Sequence, residues 1–155
     1  METHPRYFLP QLLSHVNRLV QDQLKDTVAA EALQTDQWTI LVALSDGNGH
    51  AMGELAQSAI MNPSKLTKAI DKMVSKGLVQ RSADIGDHRK VVAFITDLGL
   101  TLVDRLHPKI AKMEKALMAR LGKADHQQLT RLLVQMLAEK RPVRTDANRP
   151  LASRR

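Results

Sequence analysis

Cysteine is absent from this 155-residue chain, and aromatic residues make up only 3% of it. Without cysteine there are no disulfides, no thiolate metal ligands and no thiol redox chemistry. The absence fits a reducing compartment, so a cytoplasmic location is expected. With so few aromatics the core has to be built from Leu, Ile, Val, Ala and Met. Glycine and proline are sparse as well, at 7 and 6, and they fall in the gaps between apolar stretches, which favours helices joined by short turns. Long hydrophobic runs are also missing. None approaches the roughly 20 residues that a membrane-spanning helix needs. Residues 1–10 lack the basic start and continuous apolar stretch of a secretory signal, so no membrane partner is expected.

What is present is an ordinary globular composition, 43% hydrophobic and 25% charged, on a chain of about one domain's length. The net charge of +7 is unevenly spread. Residues 1–60 hold 3 Lys/Arg against 7 Asp/Glu, and residues 61–155 hold 20 against 9. A polyanion would be drawn to the second part, although a basic solvated face produces the same imbalance.

Apolar periodicity predicts a first helix over 8–29, striped by Leu9, Leu12, Leu13, Val16, Leu19, Val20 and Leu24. Thr35-Asp36 reads as the cap of a second helix, 37–44, closed by the turn residues Asp46-Gly47-Asn48-Gly49. A short third helix is expected over 51–59. Asn62-Pro63, an N-cap followed by proline at the first helical position, opens a fourth over 63–76, and Gly77 stands where a helix ends in the left-handed conformation. Its inner stripe is Leu66, Ala69, Ile70, Met73 and Val74. The period then changes to that of strands, 78–81 and 91–95, joined by a polar loop as a two-stranded hairpin. Thr96-Asp97 begins a long helix running to Leu121, with Pro108 inside it as a point of kinking or breakage. Asp125 reads as the cap of a last helix reaching Lys140. The tail, 141–155, is basic and nearly devoid of apolar residues, and is expected to be flexible.

Three short helices followed by a hairpin is the order of a winged helix-turn-helix. The last of the three helices must fill a major groove, so its outer face should be small, polar and basic. Off the apolar stripe, the fourth helix carries Pro63, Ser64, Lys65, Thr67, Lys68, Asp71 and Lys72, whose hydroxyls and ammonium groups can donate to phosphates and base edges. A solvated amphipathic helix has the same pattern. The hairpin loop adds weight to the DNA reading: Asp87-His88-Arg89-Lys90 places a carboxylate two residues before an arginine. Such a carboxylate can hold the guanidinium extended for entry into a minor groove. A weak surface ion pair is the alternative.

The sequence at this point resembles the MarR (multiple antibiotic resistance regulator) family. The resemblance is carried by Leu78-Val79-Gln80-Arg81, by the Asp87-His88-Arg89 wing, and by Ile95-Thr96-Asp97-Leu98-Gly99 opening the next helix. Upstream it is carried by Thr35-Asp36-Gln37-Trp38, Glu54-Leu55-Ala56 and the run from Ser64 to Val79. It spans about 8–140 in order and spacing. Ile95 and Leu100 depart from the commoner family residues without touching the DNA reading. The resemblance implies a mainly α fold of about six helices, a single domain over 1–145. A winged head (35–96) carries a two-stranded wing, and a helical dimerisation base is formed by 8–29 and 97–140. It implies a homodimeric, double-stranded-DNA-binding transcriptional regulator, a repressor, that binds a pseudo-palindromic operator and is released by a small aromatic carboxylate or related effector. Candidate effector-lining residues are His15, Arg18, Leu19 and Trp38. A winged-helix protein-interaction module without DNA binding is the competing reading.

Other chemistry finds little support. The six histidines, His4, His15, His50, His88, His107 and His126, form no His-x-x-x-His or His-Glu-x-x-His pair, so no metal site is expected. No glycine-rich cofactor loop and no nucleophile elbow occurs, and Asp84 and Asp87 sit together on a basic loop without a second catalytic role. Neither a cofactor nor catalysis is expected.

Overall fold

A computed structural model of the protein describes residues 8–84, 86–87 and 90–138. The wing residues His88 and Arg89 and the basic tail 141–155 lie outside the described residues. In chain order the elements are α1 (Leu9–Ala29), α2 (Thr35–Leu44), β1 (His50–Ala51), α3 (Met52–Ser58), α4 (Pro63–Ser75), β2 (Val79–Ala83), β3 (Val91–Ile95), α5 (Asp97–Met118) and α6 (Lys123–Ala138). They divide into two compact units, one ending at Leu117 and the other starting at Met118.

In the first unit, Ile40 and Leu41 of α2, Leu55 of α3, Leu66, Ile70 and Met73 of α4, and Leu106 of α5 are buried almost completely. Each such side chain contributes about 1.5–3 kcal/mol on leaving water. This core faces one side of α4 and leaves the other side bare. Both ends of α4 are set locally. The Asn62 carboxamide oxygen accepts the Lys65 N–H at 2.8 Å. At the other end Gly77 takes φ +68°, while Leu78 N–H donates to the Met73 carbonyl at 3.0 Å and Gly77 N–H to that of Val74 at 2.9 Å. That is a helix end closed by a left-handed glycine.

The sheet is larger than the expected hairpin. Its three antiparallel strands run in the order β1-β3-β2, with Arg81 opposite Ala93 on one side and His50 opposite the same residue on the other. A two-residue strand has no alternation to read. Its place depends on Gly49, where a Cβ atom would come within 2.4 Å of the Phe94 ring.

Three local expectations are corrected. Thr35-Asp36 does not cap α2: Gln34 is the extended residue before it, and its N–H donates to the side-chain oxygen of Gln37 at 3.1 Å. Gln37 is 2% exposed, so its amide is held by this bond inside the core. Pro108 does not break α5, which runs through it to Met118. Leu102 and Leu106 before the proline and Ile110 after it are all buried, and that packing offsets one missing backbone bond. Asp125 lies in the first turn of α6 rather than ahead of it, and the His126 N–H donates to the Gly122 carbonyl at 3.0 Å. No residue of α6 is buried, and no helix among the described residues is long and apolar enough to cross a membrane.

Candidate nucleic-acid interface

On α4 the residues Pro63, Ser64, Lys65, Thr67, Lys68 and Lys72 are all exposed. The 3.6-residue period that buries Leu66, Ile70 and Met73 brings them to the open side. Their hydrogen-bonding states differ. The Thr67 hydroxyl donates to the Pro63 carbonyl at 2.9 Å, leaving its oxygen to accept. The Lys65 ammonium ion-pairs with the Asp36 carboxylate of α2 at 2.8 Å. Among the described residues, Lys68 and Lys72 have no acidic partner.

The wing is organised by Asp84. Its carboxylate accepts the N–H groups of Gly86 and Asp87, each at 2.8 Å. Asp84 N–H donates to the Lys90 carbonyl at 2.9 Å, and Lys90 N–H to that of Asp87 at 2.8 Å. An aspartate two residues before a glycine was the available signal for this turn. Asp87 and Lys90 stand on the described part of the loop, with Lys90 Nζ 4.0 Å from Asp87 Oδ2. The expected Asp87–Arg89 support lies outside the described residues.

Arg81 joins wing to helix. Its Nη1 donates to Asp71 Oδ1 at 2.6 Å and its Nη2 to the Thr67 carbonyl at 3.4 Å. No sequence signal identified that partner, ten residues upstream on another element. The start of α5 is tied to the same region. The Thr96 hydroxyl donates to the Gly77 carbonyl at 2.6 Å and accepts the Gly99 N–H at 3.1 Å. Thr96 N–H donates to the Leu78 carbonyl at 3.1 Å.

The four effector candidates occupy different environments. His15, Arg18 and Leu19 lie on the exposed part of α1, whereas Trp38 is a core residue, 7% exposed. His50 sits on β1 with its Nε2 3.0 Å from the Asp46 carboxylate. This hydrogen bond, with those from Asn48, holds the Asp46 carboxyl below its ordinary value. Among the described residues no three of His, Asp and Glu converge on a possible metal position.

The MarR family model matches residues 33–91, from just before α2 to the start of β3. The homoprotocatechuate degradative operon repressor of Escherichia coli is 30% identical over 106 residues, covering 68% of this chain and 72% of that protein. The transcriptional repressor NicR of Pseudomonas putida is 27% identical over 105 residues, covering 68% of this chain and 66% of that one. The crystal structure of a MarR family regulator from Silicibacter pomeroyi superimposes with a TM-score of 0.78 at 26% identity, over 89% of this chain and 95% of the other. The winged head, the bare polar face of α4 and these likenesses lead to one conclusion: the chain belongs to the MarR family of DNA-binding, winged helix-turn-helix transcriptional regulators.

Proposed function

We propose that the protein is a cytoplasmic, nucleoid-associated repressor that binds a pseudo-palindromic operator as a homodimer and leaves it when a small aromatic acid binds. The observation that carries the reading is the exposed face of α4, Ser64, Lys65, Thr67, Lys68 and Lys72, beside a wing bound to that helix through Arg81 and Asp71. The helix face enters the major groove, and the wing, with Arg89, His88 and Lys90, follows into the adjacent minor groove. Binding, with no catalytic step, is the role.

The dimer is supported by apolar side chains that stand exposed among the described residues. Leu9, Leu12, Leu13, Val16 and Leu19 of α1 are 42–55% exposed. Leu132, Leu133, Val134, Met136 and Leu137 of α6 are exposed as well. Two-fold pairing through 8–29 and 97–140 covers these rows and sets two copies of α4 about one DNA turn apart, ~34–36 Å. The likeness to a relative named for a homoprotocatechuate degradative operon supports the aromatic-acid effector. His15, Arg18, Leu19 and Trp38 are its candidate lining, and release needs a coupling of ~1–3 kcal/mol.

The test is selection of duplexes from a genomic pool, followed by anisotropy titrations on the selected and a scrambled duplex with and without a panel of aromatic acids. Specific retention that weakens steeply with salt, and release by a panel member, are expected. Absence of any retained duplex at low salt overturns the DNA reading. Unchanged affinity across the panel removes the effector.

A further inference from the structure

The Lys65–Asp36 pair bears on how strongly this protein holds DNA of arbitrary sequence. Lys65 stands in the first turn of α4, where the positive end of the helix dipole disfavours an ammonium group. Asp36 stands in the first turn of α2, where the same effect favours a carboxylate. The two side chains meet at 2.8 Å, with relative exposures of 55% for Lys65 and 34% for Asp36. The carboxylate is thus the better shielded and better supported partner, and it neutralises one of the cations nearest the leading end of the recognition helix. Lys68 and Lys72, further along the same face, are not neutralised in this way among the described residues.

We propose that Asp36 is an internal competitor of DNA phosphate for Lys65, a positioning residue that keeps affinity for arbitrary DNA low. The inference rests on the reading of α4 as the DNA-contacting helix. Nonspecific binding is driven by counterion release as cations meet phosphates. An ammonium group already paired with a carboxylate adds little to that release. It reaches phosphate only by giving up Asp36, so Lys65 engages where the rest of the interface compels it and stays withdrawn elsewhere.

The experiment is a salt-titrated anisotropy measurement on a scrambled duplex with full-length wild type, Lys65→Ala, Asp36→Asn and the double variant, each checked for folding by circular dichroism. Asp36→Ser stands in if Asp36→Asn does not fold. Asp36→Asn is expected to steepen the dependence of log affinity on log salt by about one unit and to widen the loss between 50 and 200 mM salt by about threefold. Lys65→Ala alone should flatten the slope by clearly less than Asp36→Asn steepens it, and the double variant should match Lys65→Ala. A slope flattened by a full unit in Lys65→Ala would show Lys65 already on phosphate and overturn the inference. A gain from Asp36→Asn that persists without Lys65 would overturn it too, by showing plain repulsion between Asp36 and DNA. A pair that merely ties α2 to α4 would lower melting temperature without moving the slope, a third overturning result. Failure of the wild type to bind any duplex would bring down the DNA reading itself, whereas normal wild-type binding with an unmoved Asp36→Asn slope would bring down the inference alone.

Discussion

Arg81 of β2 and Asp71 of α4 form an ion pair at 2.6 Å, and the second guanidinium nitrogen of Arg81 reaches the Thr67 carbonyl on the same helix at 3.4 Å. The wing and α4 are therefore held in one orientation by a side chain that lies outside the exposed polar row of α4. The pair is half-open to solvent, with side-chain exposures of 32% and 56%, and a pair of that kind is worth ~0–1 kcal/mol of stability. Arg81→Ala should therefore cost less than about 1 kcal/mol in urea denaturation while reducing operator affinity several-fold. Equal losses in stability and binding would contradict a role in orientation.

On the proposed reading the wing contributes to binding separately from α4. Arg89→Ala should weaken binding to operator and scrambled DNA alike and lower the salt slope by roughly one unit. Asp84→Ala should act in the same direction but more weakly, because it removes the acceptor of the Gly86 and Asp87 N–H groups and leaves Arg89 in place. Salt-titrated binding on both duplexes reads both effects. An Arg89→Ala protein with wild-type affinity on both DNAs would remove the wing from the interface.

Gly99 is a position where only hydrogen fits. A Cβ atom there would lie 2.4 Å from the Leu78 carbonyl oxygen and 2.7 Å from the Ile95 side chain. The carbonyl is backbone, bonded to the Thr96 N–H, and has little room to move. Gly99→Ala should destabilise by about 1–3 kcal/mol through overpacking, read as a fall in the denaturation midpoint. A midpoint within error of wild type would show that the α4–β2 corner yields easily.

The turn between α3 and α4 stores strain. Ile60 has φ +52° and is 93% exposed, a β-branched residue in the left-handed region with no packing in return. Asn tolerates that region far better. Ile60→Asn should raise stability by about 1 kcal/mol, visible as a higher melting temperature. A lower melting temperature would mean that the isoleucine side chain makes a stabilising contact.

Glu31, before α2, receives Lys109 Nζ and Arg105 Nη2 from α5, each at 2.9 Å. The Lys109 hydrogen bond first, and then the charges of Arg105 and Lys109, hold its carboxyl below the ordinary value of 4.5. A depressed folded-state value means stability that is fully present above the unfolded-state value and is lost as pH falls through the folded one. The stability difference between wild type and Glu31→Gln should stay constant above about pH 5 and shrink below about pH 4.5. Parallel denaturation series from pH 3 to pH 7 check this, and a difference that grows on acidification would reverse the assignment.

Local sequence was enough to delimit α4. Asn62 and Pro63 start it and Gly77 stops it through interactions within a few residues, so composition and spacing carry the information. The same holds for the polar row Ser64, Lys65, Thr67, Lys68 and Lys72, since a helix period assigns every side chain to a face once one face is apolar. The order of helices and strands follows for the same reason, and with it the winged-helix reading. Tertiary structure decided what depends on chain segments far apart. β1 exists only because Val92 and Ala93 pair with it and Gly49 admits Phe94. Pro108 stays helical because turns on both sides of it are packed into the core. Asp36 and Lys65 are 29 positions apart, and nothing in the spacing of either helix brings them together. Periodicity tells which face a residue occupies. Which charge meets it there depends on how the helices cross, and that is settled by the packing of Ile40, Leu41, Leu66 and Ile70.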